Sequence, residues 1–246
     1  MDRPSAGVMV PVPERGRRFT RRSRVGLGDV DPTGRLRLDA LARYLQDVAS
    51  ADADDARIGE TFAWVVRKLT IDLGTALPCL AEEYELTTFC GGYGSRWAER
   101  RTQLLGPRGI RIECVAIWVS IHPVTGRPAV LTDVFHEVFG EAAAGRVVSA
   151  RLRHPDPSTD AATRAWPLRR CDVDTLGHVN NAAHWQAVEE VIAGRRPTWA
   201  EIEFREGLVP ETAATQRVTD DGGTVRSWLC NGDVVRSSAV VLLDSA

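Results

Sequence analysis

The chain has 246 residues, of which 43% are hydrophobic and 26% charged, a balance typical of soluble globular proteins with a substantial core. The formal net charge of -2 excludes a general polycationic attraction to nucleic acid. No stretch approaches the roughly 20 apolar residues of a membrane-spanning helix, and the first residues lack a signal-peptide pattern. Five scattered cysteines without a C-x-x-C pair favour a reducing, cytoplasmic setting over a disulfide framework or a zinc site.

The first half of the chain is predicted to hold one long helix followed by a meander of strands. Residues 1–17, rich in Pro, Gly and Arg, are expected to form a flexible tail. A short strand leads to the phrase "DVDPTG" at 29–34, and leucines at helical spacing follow from residue 38 onward, with Asp39 as the expected N-cap. The period then changes to that of strands in "TFAWVVRKLTIDL", "EYELTTFCGGY", "RWAERRTQLLG", "IRIECVAIWVSIH" and "VLTDVFHEV".

The second half repeats this order after a predicted linker at 151–162. The phrase "DVDTLG" at 172–177 precedes a helix in which Trp185 and Val188 lie at helical spacing. Asn180 or Asn181 is the expected N-cap of that helix. Strands are predicted in "WAEIEFRE", "TAATQRVTD", "TVRSWLCNG" and "DVVRSSAVVLLD", with "DDGG" and "NGD" as the turns between them.

The two phrases lie at one constant offset of 143 residues. The matched pairs are Asp29 with Asp172, Asp31 with Asp174, and Gly34 with Gly177. We therefore predict one unit built twice by duplication, as residues 18–150 and 163–246. We expect an α+β fold with two long central helices, each wrapped by a curved antiparallel sheet.

Several motifs in this order resemble one known family. The segment "DVDTLGHVNN" is similar to the D-x-D-x-N-x-H-V-N-N segment of plant and bacterial acyl-ACP thioesterases, which are tandem double hotdog proteins. The stretch "RWAERRTQLL…GIRIECVAIWVSIHPVTGRP" resembles their W-x-x-R-R…W-V…T-x-R-P stretch, and "GDVDPTG" resembles the entrance loop of 4-hydroxybenzoyl-CoA thioesterases. The resemblance implies a double hotdog fold, hydrolysis of acyl thioesters and no metal or organic cofactor.

The second entrance loop, residues 171–181, carries the candidate catalytic groups. Asp174 is a candidate base or water-orienting group, and His178 is placed to polarise the thioester carbonyl or share the proton transfer. Gly177 and Asn180 stand at a helix N-terminus, where backbone N–H groups can stabilise an oxyanion. The structural alternatives are a turn aspartate, a packing histidine and a capping asparagine. Cys171 beside them is expected to be a small buried residue.

The resemblance also implies an acid on the strand after the second helix. Alignment of "IEFREGL" places either Gly207 or, with a shift of one residue, Glu206 at that position, and Glu206 is the candidate. An exposed strand carboxylate without a catalytic role is the alternative. Leu176 stands where the family often has an asparagine, so a side-chain amide donor is missing.

The first entrance loop has Arg35 where the second has His178. By resemblance, the first hotdog is expected to hold the acyl chain, with Tyr44, Trp64 and Trp118 lining it. Packing in the core is the alternative for each of these residues.

The expected partners are an acyl carrier protein with its acyl chain and, in a homodimer, a second copy of the chain. Acyl carrier protein is acidic, so arginine clusters at 17–24, 96–101 and at Arg195 and Arg196 are candidate docking sites. Solvated surface charge is the alternative reading of each cluster. The function predicted is acyl-ACP thioesterase. An acyl-CoA thioesterase, a hotdog hydratase and a non-catalytic acyl-binding protein are the alternatives.

Overall fold

A computed structural model describes residues 10–58, 63–122 and 124–244, and these residues form ten strands and three α-helices. The chain divides into two compact units. The first holds the chain up to Arg24 together with Leu45–Pro78 and Glu82–Arg151, and the second holds Val25–Tyr44, Cys79–Ala81 and the chain from Leu152 onward. Residues 1–9 of the predicted tail and residues 61–62 of a predicted strand lie outside the described residues.

The first unit contains an antiparallel sheet of five strands in the order β1-β3-β4-β5-β2. Their bounds are β1 Arg18–Arg24, β2 Ala63–Asp72, β3 Glu83–Tyr93, β4 Trp97–Leu105 and β5 Arg111–Ile121. The first four long strand segments predicted in this half are therefore confirmed. Alternating burial along β2 to β5 reflects one face that packs on the core.

Helix α1 spans Leu38–Asp55, and its residues up to Tyr44 belong to the second unit. Leucines at helical spacing bury one face, since Leu38 and Leu41 have no exposed surface. The prediction of Asp39 as N-cap is wrong, because the helix already begins at Leu38. The Asp39 carboxylate instead accepts hydrogen bonds from the side chains of Arg37 and Arg43.

The last predicted strand of the first half, "VLTDVFHEV", is wrong. Residues Asp133–Ala143 form helix α2, so the described chain has three helices where two were expected. Phe135 and Phe139 are buried one turn apart, which is the 3.6-residue period of a helix. Thr132 accepts a hydrogen bond from the Phe135 N–H and caps the helix.

The second unit contains an antiparallel sheet in the order β7-β10-β9-β8-β6. The strands are β6 Ala162–Trp166, β7 Pro197–Phe204, β8 Ala214–Asp220, β9 Thr224–Asn231 and β10 Val234–Leu243. Helix α3 spans Asn181–Ile192, and Asn180 is its N-cap as predicted. Antiparallel sheets with long helices at both repeat positions confirm the α+β class. The domain boundaries 18–150 and 163–246 stay predictions.

None of the helices in the described ranges is long and apolar enough to span a membrane.

The carboxylate of Asp52 is the centre of a buried ion-pair network in the first unit. Its side chain is 1% exposed and accepts hydrogen bonds from Arg17 Nε at 2.7 Å and Arg100 Nη1 at 2.6 Å. Arg100 also donates to Thr88 Oγ1 at 3.2 Å. Arg17, at the end of the predicted tail, is thus anchored to helix α1, and Arg100 is directed into the core from β4.

We expect Asp52→Asn to destabilise the protein by about 3 kcal/mol, because two largely buried arginines would lose their shared carboxylate. Urea denaturation monitored by tryptophan fluorescence measures the change. Asp55→Asn is the control, since Asp55 is 60% exposed and Arg17 is its one ion-pair partner among the described residues, and it should cost about 1 kcal/mol or less. Equal losses in the two variants would contradict the central role of Asp52.

Candidate active site

The second entrance loop is a tight turn that brings Asp174 and His178 to its two ends. The Asp174 N–H donates to the His178 carbonyl at 2.9 Å, and the Gly177 N–H donates to the Asp174 carbonyl at 3.0 Å. Gly177 has a φ of +76°, and a Cβ added there would meet no atom within 4 Å. The backbone conformation of this turn, rather than crowding, therefore explains the glycine.

His178 presents an exposed imidazole that has no hydrogen-bond partner within the described residues. Its ring lies against the backbone of Gly207, where an added Cβ would be 2.7 Å from His178 Cδ2. A side chain at position 207 would collide with the imidazole, so only glycine there allows the ring to lie where it does. The imidazole is therefore positioned by backbone contact and is open to an incoming ligand.

The Asp174 carboxylate is only partly engaged. Oδ1 accepts a hydrogen bond from the Leu176 N–H at 2.9 Å, and no described residue donates to Oδ2. Asp174 thus has the structural role of a turn aspartate and keeps one oxygen available to accept a proton or orient a water molecule.

The start of helix α3 has open N–H groups, although not those of the predicted residues. The Gly177 N–H and the Asn180 N–H both have backbone acceptors, the latter being the Asp172 carbonyl at 2.7 Å. Asn180 Oδ1 accepts from the Ala182 N–H at 2.9 Å, which is a capping contact. Among the described residues, no acceptor is found for the N–H groups of His178 and Asn181. A direct role of Gly177 and Asn180 at an oxyanion stays a prediction.

Glu206, the candidate strand acid, is engaged elsewhere. Its carboxylate binds Arg236 Nη1 and is 62% exposed. The residue that contacts the His178 ring is its neighbour, Gly207. No carboxylate in the described chain hydrogen bonds to this imidazole, and a catalytic role of Glu206 stays a prediction.

The first entrance loop has the same turn but is closed by its own side chains. The Asp31 carboxylate accepts four hydrogen bonds, from the N–H and hydroxyl of Thr33 and from the N–H and Nε of Arg35. Burial alone would raise the pKa of Asp31, but the hydrogen bonds from Thr33 and Arg35 outweigh it and lower the pKa to about 2. Asp31 is therefore a saturated carboxylate and a poor base.

Arg35 completes this closure through helix α3. Its Nη2 donates to Glu189 Oε2 at 2.7 Å, and the other oxygen of Glu189 accepts from the Leu38 N–H at 2.6 Å. Burial raises the pKa of Glu189, although the Arg35 charge opposes the shift. In the first loop, Arg35 thus stands at the position that corresponds to His178, and it binds the loop to helix α3.

The predicted acyl-chain residues have ordinary structural contacts. The Tyr44 hydroxyl donates to Asp29 Oδ2 at 2.7 Å. In the first unit, the Trp64 ring lies 5.9 Å from the Phe135 ring, and Trp118 Nε1 is buried without an acceptor in the part of the chain described. Contact of these three residues with an acyl chain stays a prediction.

The arginine clusters differ in their availability. Arg195 and Arg196 are partly exposed and pair with Asp220 and Asp244, and Arg195 also donates to carbonyls at the end of helix α3. By contrast, Arg101 binds the buried Glu99, and Arg100 binds Asp52. These two core ion pairs remove Arg100 and Arg101 from any docking surface.

Sequence reasoning missed two histidines of the second unit. His154 lies close to Glu201 and Glu203, and its Nε2 is 3.2 Å from Glu201 Oε1. The carboxylate of the fully buried Glu203 accepts hydrogen bonds from the backbone N–H groups of Arg153 and His154. These three side chains are close enough to hold a metal ion, but each already has protein partners. The role of this cluster is therefore structural: it binds residues 153–154, in the predicted linker, to β7.

The other missed histidine is His184, which is buried on helix α3 one turn after the N-cap. Its place among apolar residues at helical spacing hides it in the sequence. Cys171, expected to be buried, is instead exposed, and all five cysteines are free thiols.

We expect Asp31→Asn to lower stability at pH 7 by about 2 kcal/mol, because charge-assisted hydrogen bonds are lost. A carboxylate with a lowered pKa stabilises the fold above its unfolded pKa of 3.8, and that stability disappears as the pH falls towards about 2. The difference between wild type and variant should therefore shrink between about pH 4 and pH 2 in urea titrations. Asp174→Asn, with a single hydrogen bond, should cost less than half as much; an equal cost would contradict the contrast between the loops.

Comparisons with known proteins agree with this architecture. A model of the acyl-ACP thioesterase N-terminal domain matches residues 16–139, half of the chain. Uncharacterized proteins from two strains of Mycobacterium tuberculosis are 30% identical over 238 residues, covering 95% of this chain and 95% of each relative.

Solved structures share the fold at low sequence identity. The 12:0-ACP thioesterase from Umbellularia californica has a TM-score of 0.78 and 19% identity, covering 94% of this chain and 98% of that one. An acyl-ACP thioesterase from Bacteroides thetaiotaomicron has a TM-score of 0.75 and 17% identity, covering 92% and 98%. The chain belongs to the acyl-ACP thioesterase family and has its double hotdog fold.

Proposed function

We propose that the protein hydrolyses the thioester between an acyl chain and acyl carrier protein, releasing free fatty acid and carrier thiol at the second entrance loop. The observation that carries this proposal is the contrast between the two loops of one unit. His178 and one oxygen of Asp174 are open to a ligand, whereas Asp31 and Arg35 are held by hydrogen bonds and ion pairs.

The proposed reaction uses water as the nucleophile. The water oxygen attacks the thioester carbonyl carbon while the Asp174 carboxylate orients it and Asp174 or His178 accepts its proton. The tetrahedral intermediate then collapses, the C–S bond breaks, and the proton passes to the departing sulfur. The products are a carboxylic acid and a thiol, so no cofactor is required by the balance of the reaction.

The oxyanion requires donors fixed before the reaction begins. The open N–H groups of His178 and Asn181 at the start of helix α3 fit this role, and the positive end of the helix adds to it. Leu176 is 60% exposed and offers no amide, so the backbone must supply the stabilisation that a side-chain donor supplies in related sequences. We propose these two N–H groups in place of those of Gly177 and Asn180.

Thiol release from a panel of acyl-ACP and acyl-CoA substrates tests the site. We expect His178→Ala and Asp174→Asn each to lower kcat about 100-fold or more, because each removes a group that handles the proton or the water. His136→Ala, an exposed histidine of the first unit, is the control and should leave kcat unchanged.

The outcomes of this assay separate the alternatives. Release from acyl-CoA but not from acyl-ACP would favour the acyl-CoA thioesterase reading, and no release from any thioester would favour an acyl-binding protein. Release that is unaffected by Asp174→Asn and His178→Ala would refute this active site.

Docking of the acidic carrier is proposed at Arg195 and Arg196. Reversing both charges to glutamate should raise KM for acyl-ACP about tenfold and leave KM for a small acyl thioester, such as acyl-N-acetylcysteamine, unchanged. Arg127→Glu is the control, since Arg127 is exposed and has no ion pair within the described residues. A similar rise for both substrates would contradict docking at this site.

A further inference from the structure

The loop that carries Asp174 and His178 is closed at its base by Asp172 and Asn180. The Asn180 N–H donates to the Asp172 carbonyl at 2.7 Å, next to the hydrogen bond that joins the Asp174 N–H to the His178 carbonyl. Asn180 is also the N-cap of helix α3. The base of the loop is therefore continuous with the start of this helix, and a displacement of the base changes where Asp174 and His178 lie relative to the helix.

The side chain of Asp172 binds Arg169 through both of its oxygens. Oδ1 accepts from Arg169 Nη2 at 2.7 Å, and Oδ2 accepts from Arg169 Nε at 2.9 Å and from the Arg169 N–H at 3.1 Å. The Asp172 side chain is 8% exposed, and a guanidinium that binds both carboxylate oxygens fixes their relative orientation. Arg169 Nη2 also donates to Gln186 Oε1, on the second turn of helix α3. These contacts connect the base of the loop to the helix through Arg169.

The first entrance loop makes the same connection with a different residue. Its matching aspartate, Asp29, accepts from Arg43 Nη2 at 2.8 Å, and Arg43 lies on helix α1. At the offset of 143 residues, Arg43 matches Gln186, and Arg169 matches Gly26. The cation therefore comes from the helix in the first loop and from the segment ahead of the loop in the second. The ionic contact is present in both copies although the residue that supplies it has changed place.

We propose that Asp172 and Arg169 are positioning residues, which hold the loop of Asp174 and His178 in place against helix α3 during thioester hydrolysis. This inference rests on the proposed function, but it also has a structural consequence that can be measured without substrate.

The position of the loop matters because the proposed reaction divides its groups between the loop and the helix. Asp174 and the His178 imidazole lie on the loop, whereas one proposed oxyanion donor, the Asn181 N–H, lies at the start of helix α3. A displacement of about 1 Å between such groups can slow a reaction about 100-fold. No described residue pairs with the Asp174 carboxylate or the His178 imidazole in an ion pair, so the ionic anchor of this loop is the one at its base.

Arg169→Ala tests the inference on a small thioester such as acyl-N-acetylcysteamine, which needs no docking of a carrier protein. We expect kcat to fall about 10-fold with little change in KM, because a displaced loop slows the chemical step. Arg170→Ala is the control. It removes the same charge from the adjacent exposed residue, which has no ion pair within the described residues, and it should leave kcat unchanged. Equal losses in the two variants would overturn the proposal.

Transfer of the first loop's arrangement separates positioning from general destabilisation. Adding Gln186→Arg to Arg169→Ala places an arginine at the helix position that Arg43 occupies in the first copy, and most of the lost kcat should return. In an Asp172→Asn background, Gln186→Arg should restore nothing, because the carboxylate that it would bind is gone. Thermal denaturation of each variant checks that the fold is retained. Absence of recovery in the Arg169→Ala background would overturn the proposal.

Amide hydrogen exchange gives the readout that does not depend on activity. Arg169→Ala should speed exchange of the Asp174 and Asn180 amides, which are hydrogen bonded across the loop, about 10-fold or more, and amides of β8 should keep their rates. Addition of Gln186→Arg should slow the exchange again. Unchanged exchange in Arg169→Ala would overturn the proposal even in an active enzyme. Faster exchange in a protein that hydrolyses no thioester would uphold the anchoring of the loop and reject the proposed function instead.

Discussion

The difference between the two entrance loops depends on the ion pair between Arg35 and the largely buried carboxylate of Glu189, whose side chain is 11% exposed. One oxygen accepts the Leu38 N–H at the start of helix α1, and the other binds Arg35. A carboxylate taken out of water needs partners on both oxygens, and these are supplied by the first copy of the loop. The first loop is consequently held in place, because Arg35 binds the Glu189 carboxylate and Asp31 in turn binds Arg35.

The two entrance loops share one turn but differ in how their aspartates are hydrogen bonded. Asp31 and Asp174 occupy the same position in the same turn, yet the first accepts four hydrogen bonds and the second accepts one. A carboxylate whose oxygens all accept hydrogen bonds stabilises a turn, whereas a carboxylate that acts as a base or orients water must keep one oxygen free. The open loop loses stabilising contacts, so its position has to be maintained through the backbone and through residues behind it.

Local patterns in the sequence were sufficient for most elements and for the repeat, because strand alternation, helical spacing and turn residues are set by neighbours. Helix α2 was missed since its short apolar run also fits a strand: Phe135 and Phe139 lie four residues apart, a spacing that places them on one face of either a helix or a strand. The partner of Arg35 lies 154 residues away, at Glu189, and no local pattern shows such a contact. His184 was hidden for the opposite reason, because it occupies a regular apolar position of its helix.

The contact between the His178 ring and Gly207 bears on how the imidazole is oriented. A carboxylate bound to a histidine would orient the ring and favour its charged form, but the ring of His178 lies against the backbone of Gly207, and no carboxylate among the described residues hydrogen bonds to it. The orientation of His178 must then come from the tight turn and from the Val179 N–H, which donates to the Leu208 carbonyl at 2.9 Å. In this protein the scaffold around the histidine therefore takes over a task that a neighbouring acid would otherwise perform.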